Sequence, residues 1–100
     1  MLDEARDEFD AILDYVRDKH GTRTEEKVYN DIRQRILTLS TMPELGTLDT
    51  ELHYQGKPVR ILHSKHTRII YAVRETEIVI VMLWSNRRDD SVLKYLLSRR

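Results

Sequence analysis

The chain has 100 residues, no cysteine, three glycines and two prolines, and 17 Lys+Arg balance 17 Asp+Glu. A chain this long makes one domain that buries a little over ~60% of its unfolded surface. Without cysteine it has neither disulfides nor thiolate chemistry, and its longest apolar run, Ile78 to Trp84, falls far short of the ~18 residues of a membrane span.

The zero net charge hides a split. Residues 1–51 carry 7 Lys+Arg against 13 Asp+Glu, net −6, and residues 52–100 carry 10 against 4, net +6. Either the basic half meets an anionic partner, or the halves neutralise each other across the fold. The start, Met1-Leu2-Asp3-Glu4, is acidic and lacks the basic and apolar regions of a signal peptide. Together with the missing cysteine, this fits a cytoplasmic protein.

Residues 3–19 read as a helix, because Ala5, Phe9, Ile12, Leu13 and Val16 fall on one face. Asp3, Glu4, Asp7 and Glu8 favour its N-terminal end, Arg17 and Lys19 favour its C-terminal end, and Gly21 is a C-cap. A second helix follows, with Thr22 and Glu25 at capping-box spacing, or Thr24 as the cap. Val28, Tyr29, Ile32, Ile36 and Leu39 form its stripe. A link of about three to five residues predicts an antiparallel helical hairpin. Met42-Pro43-Glu44-Leu45-Gly46 reads as a turn, and the chain onward to Gly56 as loop, with at most a short strand at Leu52-His53-Tyr54.

After Pro58 the period changes. Segments 59–63, 68–74 and 78–84 are strands rich in Ile, Val and Tyr, with gaps short enough for antiparallel hairpins. The last is apolar on both faces, so it must be central or covered on both sides. The helical hairpin covers one face. A final helix with Val92, Leu93, Leu96 and Leu97, capped by Asp89, Asp90 or Ser91, partly covers the other. The fold class is therefore α+β: a helical hairpin on a mainly antiparallel sheet of three to four strands, then a short C-terminal helix.

Most chemistries find no support. His63-Ser64-Lys65-His66 has H-x-x-H spacing, but i and i+3 on a strand face opposite ways, so no metal site is expected. No serine sits in a nucleophile elbow, and no glycine-rich loop could cradle a phosphate, so no cofactor is expected. What is left is a basic set: Lys57, Arg60, Lys65, Arg68, Arg74, Arg87 and Arg88. Arginine clamps phosphates, and it equally anchors protein interfaces. Trp84 and Tyr71 are aromatic neighbours that either stack on bases or simply fill the core. The apolar run that ends in Leu83-Trp84-Ser85-Asn86-Arg87-Arg88 poses one question. Either a strand reaches the surface there, or it presents an arginine pair at a contact edge.

The order of these pieces resembles the RelE/ParE superfamily of bacterial toxins from type II toxin–antitoxin systems. The resemblance rests on the opening Ala5 to Ile12 of the hairpin, the turn Met42 to Gly46, and the strand Thr67-Arg68-Ile69-Ile70-Tyr71-Ala72-Val73. Its most specific piece is Leu83 to Asp90 with Leu93, Leu96 and Leu97. It implies a toxin held inactive by a cognate antitoxin, which wraps it with a helix and an extended segment and carries any contact with operator DNA. RelE-like members cut mRNA in the ribosome, whereas ParE-like members poison DNA gyrase. Arg68 and Arg87 match the two arginines of the nuclease branch. Leu93, however, stands where many nucleases carry tyrosine, and the paired lysines of some nucleases are absent around Arg60. Arg87-Arg88-Asp89 followed by leucines is closer to the ParE branch. The resemblance thus implies a gyrase inhibitor, with Arg60, Arg68, Trp84, Arg87 and Arg88 as target or antitoxin contacts. The alternatives are a ribosome-dependent nuclease, with Arg68 and Arg87 catalytic and His63, His66 or Tyr95 as acid or base, or an inactive homologue. Family members usually open with a strand before the first helix. This chain begins directly at the helix: either its start is trimmed or misassigned, or this member lacks the strand, and without it one sheet edge lies open and needs cover from a partner or a second copy.

Overall fold

The computed structural model describes residues 1–75 and 77–100. Helices α1 (Asp3–His20) and α2 (Thr22–Thr38) form the expected hairpin. The link is tighter than the spacing predicts, because Gly21 alone joins them. Its φ of 89° reverses the chain in one residue. Its N–H closes α1 on the Arg17 carbonyl at 2.9 Å, and its carbonyl accepts the Glu25 N–H at 3.1 Å to open α2. The Thr22–Glu25 capping box is therefore not formed. Thr22 lies inside α2, and the Glu25 carboxylate pairs with Arg17 at 3.3 Å.

Four strands follow as an antiparallel meander in the order β1-β2-β3-β4: β1 (Thr47–Tyr54), β2 (Lys57–His63), β3 (Thr67–Val73) and β4 (Ile78–Ser85). Strand β1 corrects the loop expected before Gly56. Its side chains are mostly polar and exposed, and it is interrupted where Asp49 Oδ1 accepts the N–H groups of Glu51 and Leu52. This irregular edge strand has none of the alternation that marks a half-buried one. Gln55 and Gly56, both at positive φ, make the two-residue turn into β2.

β4 lies at the sheet edge, yet both of its faces are covered. The hairpin packs on one face through Leu62, Ile69, Tyr71, Ile80 and Leu83. The other carries Val59, Ile61, Ile70, Met82 and Trp84 beneath Leu93 and Leu97 of α3 (Leu93–Ser98), which follows a short 3-10 turn, Asp90–Val92. Asp89 caps that turn by accepting the Ser91 N–H at 2.9 Å. Val92, expected in the core, is 42% exposed because it falls in the turn.

The register explains the unbroken apolar run of β4. Ile70 pairs with Met82 and Tyr71 with Ile80, so Val81 is an extra residue. The bulge switches the alternation: Ile78 and Ile80 face the hairpin before it, and Leu83 does so after it. The β4 edge is sealed by the N-terminal segment and one ion pair. The Leu2 N–H donates to Ile80 O at 3.0 Å, the Leu83 N–H donates to Glu8 Oε1 at 3.1 Å, and Arg100 Nη1 donates to Val81 O at 2.7 Å. Arg100 and Glu8 also meet each other at 2.6 Å.

Candidate functional site

Antiparallel pairing places directly opposed residues on the same face of the sheet. Arg68 lies opposite Trp84 and His63, so these three belong to the α3 face. Arg60 lies opposite Tyr71, on the hairpin face. The five expected contact residues therefore divide between two faces.

On the hairpin face, Arg60 and Tyr71 hold the turn before β1. Arg60 Nη1 donates to Gly46 O at 2.8 Å, and the Tyr71 hydroxyl donates to Pro43 O at 2.7 Å while accepting the Gly46 N–H at 2.8 Å. A Cβ on Gly46 would sit 2.8 Å from that hydroxyl and 2.9 Å from Ile61 O, so only glycine allows the approach. Burial pushes the Tyr71 phenol pKa up, and the Gly46 N–H opposes this. Tyr71 is thus a core residue with a structural hydroxyl, and Arg60 is occupied by backbone carbonyls.

On the α3 face, Arg68 is largely enclosed. Its Nε donates to Asn86 Oδ1 at 3.1 Å, and its Nη2 donates to the Asp90 carboxylate. That hydrogen bond from Arg68 holds the Asp90 pKa below its ordinary value. Trp84 is fully buried and offers no surface of its own. Among the described residues its indole N–H has no hydrogen-bond partner. Arg88 lies over the indole with Cζ 4.1 Å from the ring centroid.

The arginine pair diverges. Arg88 turns to Trp84, whereas Arg87 turns to α1 and stacks on Tyr15 with Cζ 3.5 Å from the ring centroid. The strand end thus delivers one guanidinium to each side of the sheet. Both arginines are exposed, and so are His63 and His66. Leu93 is buried in the α3 core, and Tyr95 is 60% exposed with its hydroxyl accepting from Arg99 at 3.3 Å. Among the described residues, no group of three or more His, Asp or Glu could hold a metal.

Sequence reasoning missed Tyr15, Asn86 and the pairing of Asp90 with Arg68. Tyr15 lies 72 positions before its partner Arg87, and no local pattern links them. Asp90 carried a signal, an acid beside a basic run, but capping alone had accounted for it.

No curated protein and no solved structure matches the chain. Residues 1–90 match the family model described as ParE toxin of type II toxin-antitoxin system, parDE. With the hairpin, the four-stranded meander and the short final helix in place, the chain belongs to the ParE toxin family of type II toxin–antitoxin systems, with a cognate antitoxin as its partner.

Proposed function

We propose that this toxin arrests growth by binding and inhibiting DNA gyrase, and that it does so without cleaving RNA. One observation supports this reading above the others: the two arginines a nuclease would need do not converge. Arg68 is taken up by Asn86 and Asp90 on the α3 face, and Arg87 is stacked on Tyr15 on the other. A phosphoryl-transfer site needs positive groups aimed together at the developing charge. The position where many nucleases hold a tyrosine is Leu93, a buried packing residue that cannot exchange a proton. Arg87 and Arg88 are then contact residues at the exposed end of β4. The site of action is cytoplasmic, and no helix among the described residues is long and apolar enough to cross a membrane. Contact with operator DNA is made through the antitoxin.

The rival, a ribosome-dependent mRNA nuclease, has one feature in its favour. His63 stands directly across from Arg68 in the register, as an acid or base beside a cation would. Labelled thymidine and labelled methionine incorporation, followed in the first minutes after induction without antitoxin, separate the two. DNA synthesis falling first, with a DNA-damage response, is the expected result. Protein synthesis falling first returns Arg68 and Arg87 to a catalytic role. Neither falling identifies an inactive homologue.

A further inference from the structure

The turn that ends β4 fixes the backbone around Arg87 with three hydrogen bonds. The Asn86 N–H donates to His66 O at 2.8 Å, the Arg88 N–H to Ser85 O at 3.0 Å, and the Arg87 N–H to Ser85 Oγ at 3.3 Å. The side chain is held by other means. Its guanidinium lies over the Tyr15 ring, with Cζ 3.5 Å from the centroid. Among the described residues it forms no ion pair, and its side-chain N–H groups donate no hydrogen bond. Arg68 and Arg100, by contrast, give theirs to carboxylates, and Arg60 gives its own to backbone carbonyls. Tyr15 is half-buried on α1, and its hydroxyl makes no hydrogen bond among the described residues, so the contact belongs to the ring. Arg88 is held in the same way by Trp84. Trp84 fills the core, however, so Tyr15 is the platform that can be altered without emptying it.

A ring under a guanidinium covers one of its faces and leaves the N–H groups, which lie in its plane, free at the edge. That edge fits a carboxylate through two parallel hydrogen bonds. A long exposed side chain gives up its rotamer freedom when it docks, and one already held in place loses less. We infer that Tyr15 is a positioning residue for target recognition: its ring holds the Arg87 guanidinium ready for a carboxylate on gyrase. A phosphate of gyrase-bound DNA is the poorer fit, because Arg68 and Arg88 lie on the other face of the sheet and do not converge with Arg87. The inference rests on the gyrase reading, and it adds which residue aims the contact and what chemistry the contact meets.

Inhibition of supercoiling by purified gyrase, and binding of the toxin to gyrase without DNA, test this together. Tyr15→Leu removes the ring and is expected to weaken both by about three- to tenfold. Tyr15→Phe keeps the ring and should stay within about twofold of wild type, as should Arg33→Gln on the exposed side of α2. In an Arg87→Gln background, Tyr15→Leu should cost nothing more, because the ring then has no guanidinium to hold. Arg87→Lys keeps the charge without the plane or the fork, and is expected to lose at least about threefold. In the free toxin, ring current from Tyr15 should move the Arg87 Cδ proton resonances upfield. Circular dichroism and melting confirm the folds, and if Tyr15→Leu does not fold, Arg87→Lys and the ring-current shift decide. Wild-type potency in Tyr15→Leu or in Arg87→Lys overturns the positioning role while the gyrase reading stands. Equal losses from Tyr15→Leu with and without Arg87, or unshifted Arg87 resonances, overturn it as well. Binding that appears only when DNA is present, and is lost in Arg87→Gln, puts a phosphate in place of the carboxylate and overturns that assignment. A wild type without effect on gyrase overturns the gyrase reading, and the positioning role falls with it.

Discussion

Two hydrogen bonds, Nε to Asn86 and Nη2 to Asp90, decide what Arg68 is free to do. Asp90 has its folded pKa below the ordinary 3.8, first because of the hydrogen bond from Arg68. For a carboxylate lowered in this way, the pair is fully present above the unfolded value and is lost only as pH falls through the folded one. Arg68 is therefore masked at neutral and mildly acid pH. A carbon-detected NMR titration should place the Asp90 midpoint below 3.8, and Arg68→Gln should move it back up. A midpoint indifferent to that substitution refutes the pairing. At Tyr71 the same logic acts on stability. Tyr71→Phe removes the donor to Pro43 O and leaves the buried Gly46 N–H without its acceptor. An unsatisfied buried donor costs about 1–3 kcal/mol, to be read as a lower urea midpoint at unchanged slope. Gly46→Ala should disturb the same turn from the other side, since its Cβ would meet the hydroxyl it now admits.

Strand β4 shows what was legible at the level of elements. Its apolar character and its need for cover on both faces followed directly from Ile78 to Trp84, and both layers are there. Its edge position did not follow, because the bulge at Val81 turns both sides of the strand apolar and so imitates a central strand. Both helices were legible from their stripes. The one-residue link was not, since it depends on the backbone angle of Gly21 and not on composition. β1 escaped because its pairing comes from backbone hydrogen bonds and a Gln55–Gly56 turn, while its side chains stay in water. In the candidate site the individual arginines were legible and their partners were not, because Arg68–Asp90 and Arg87–Tyr15 are tertiary contacts. The edge of the sheet at β4 is closed by Leu2, Glu8 and Arg100. The side chains of Arg100 and Glu8 are only 8% and 15% exposed. Removing one partner should strand the other, so Arg100→Ala is expected to cost about 3–5 kcal/mol and to free Val81 O. Glu8→Met with Arg100→Met should cost far less, because neither charge is then buried alone. Thermal melts of the two variants give the comparison, and equal losses would mean that the pair's charges do not matter.

Across the whole molecule, the charge split proves to be more than an accident of counting. Had the acidic first half and basic second half neutralised each other, ion pairs would link them. Among the described residues, Arg17 pairs with Asp14, Asp18 and Glu25, and Arg35 with Asp31, all within the first half. Arg68–Asp90 lies within the second, and Glu8–Arg100 alone crosses. Arg87 and Arg88 lie instead over aromatic rings, which leaves their positive charge uncancelled at the surface. The protein is thus neutral in sum, yet among the described residues the end of β4 carries two exposed cations with no ion pair, and an acidic partner approaching that end would meet a field that draws it in. Such steering acts on encounter more than on the docked complex. Stopped-flow association of toxin and antitoxin should therefore slow by about tenfold or more between low and high salt, with dissociation changing much less. Arg87→Gln with Arg88→Gln should flatten that salt dependence while leaving the melting temperature close to wild type, since both side chains are exposed. If the association rate were insensitive to salt, the contact would be carried by its apolar part alone, and the arginine pair that ends β4 would have no part in guiding the partner in.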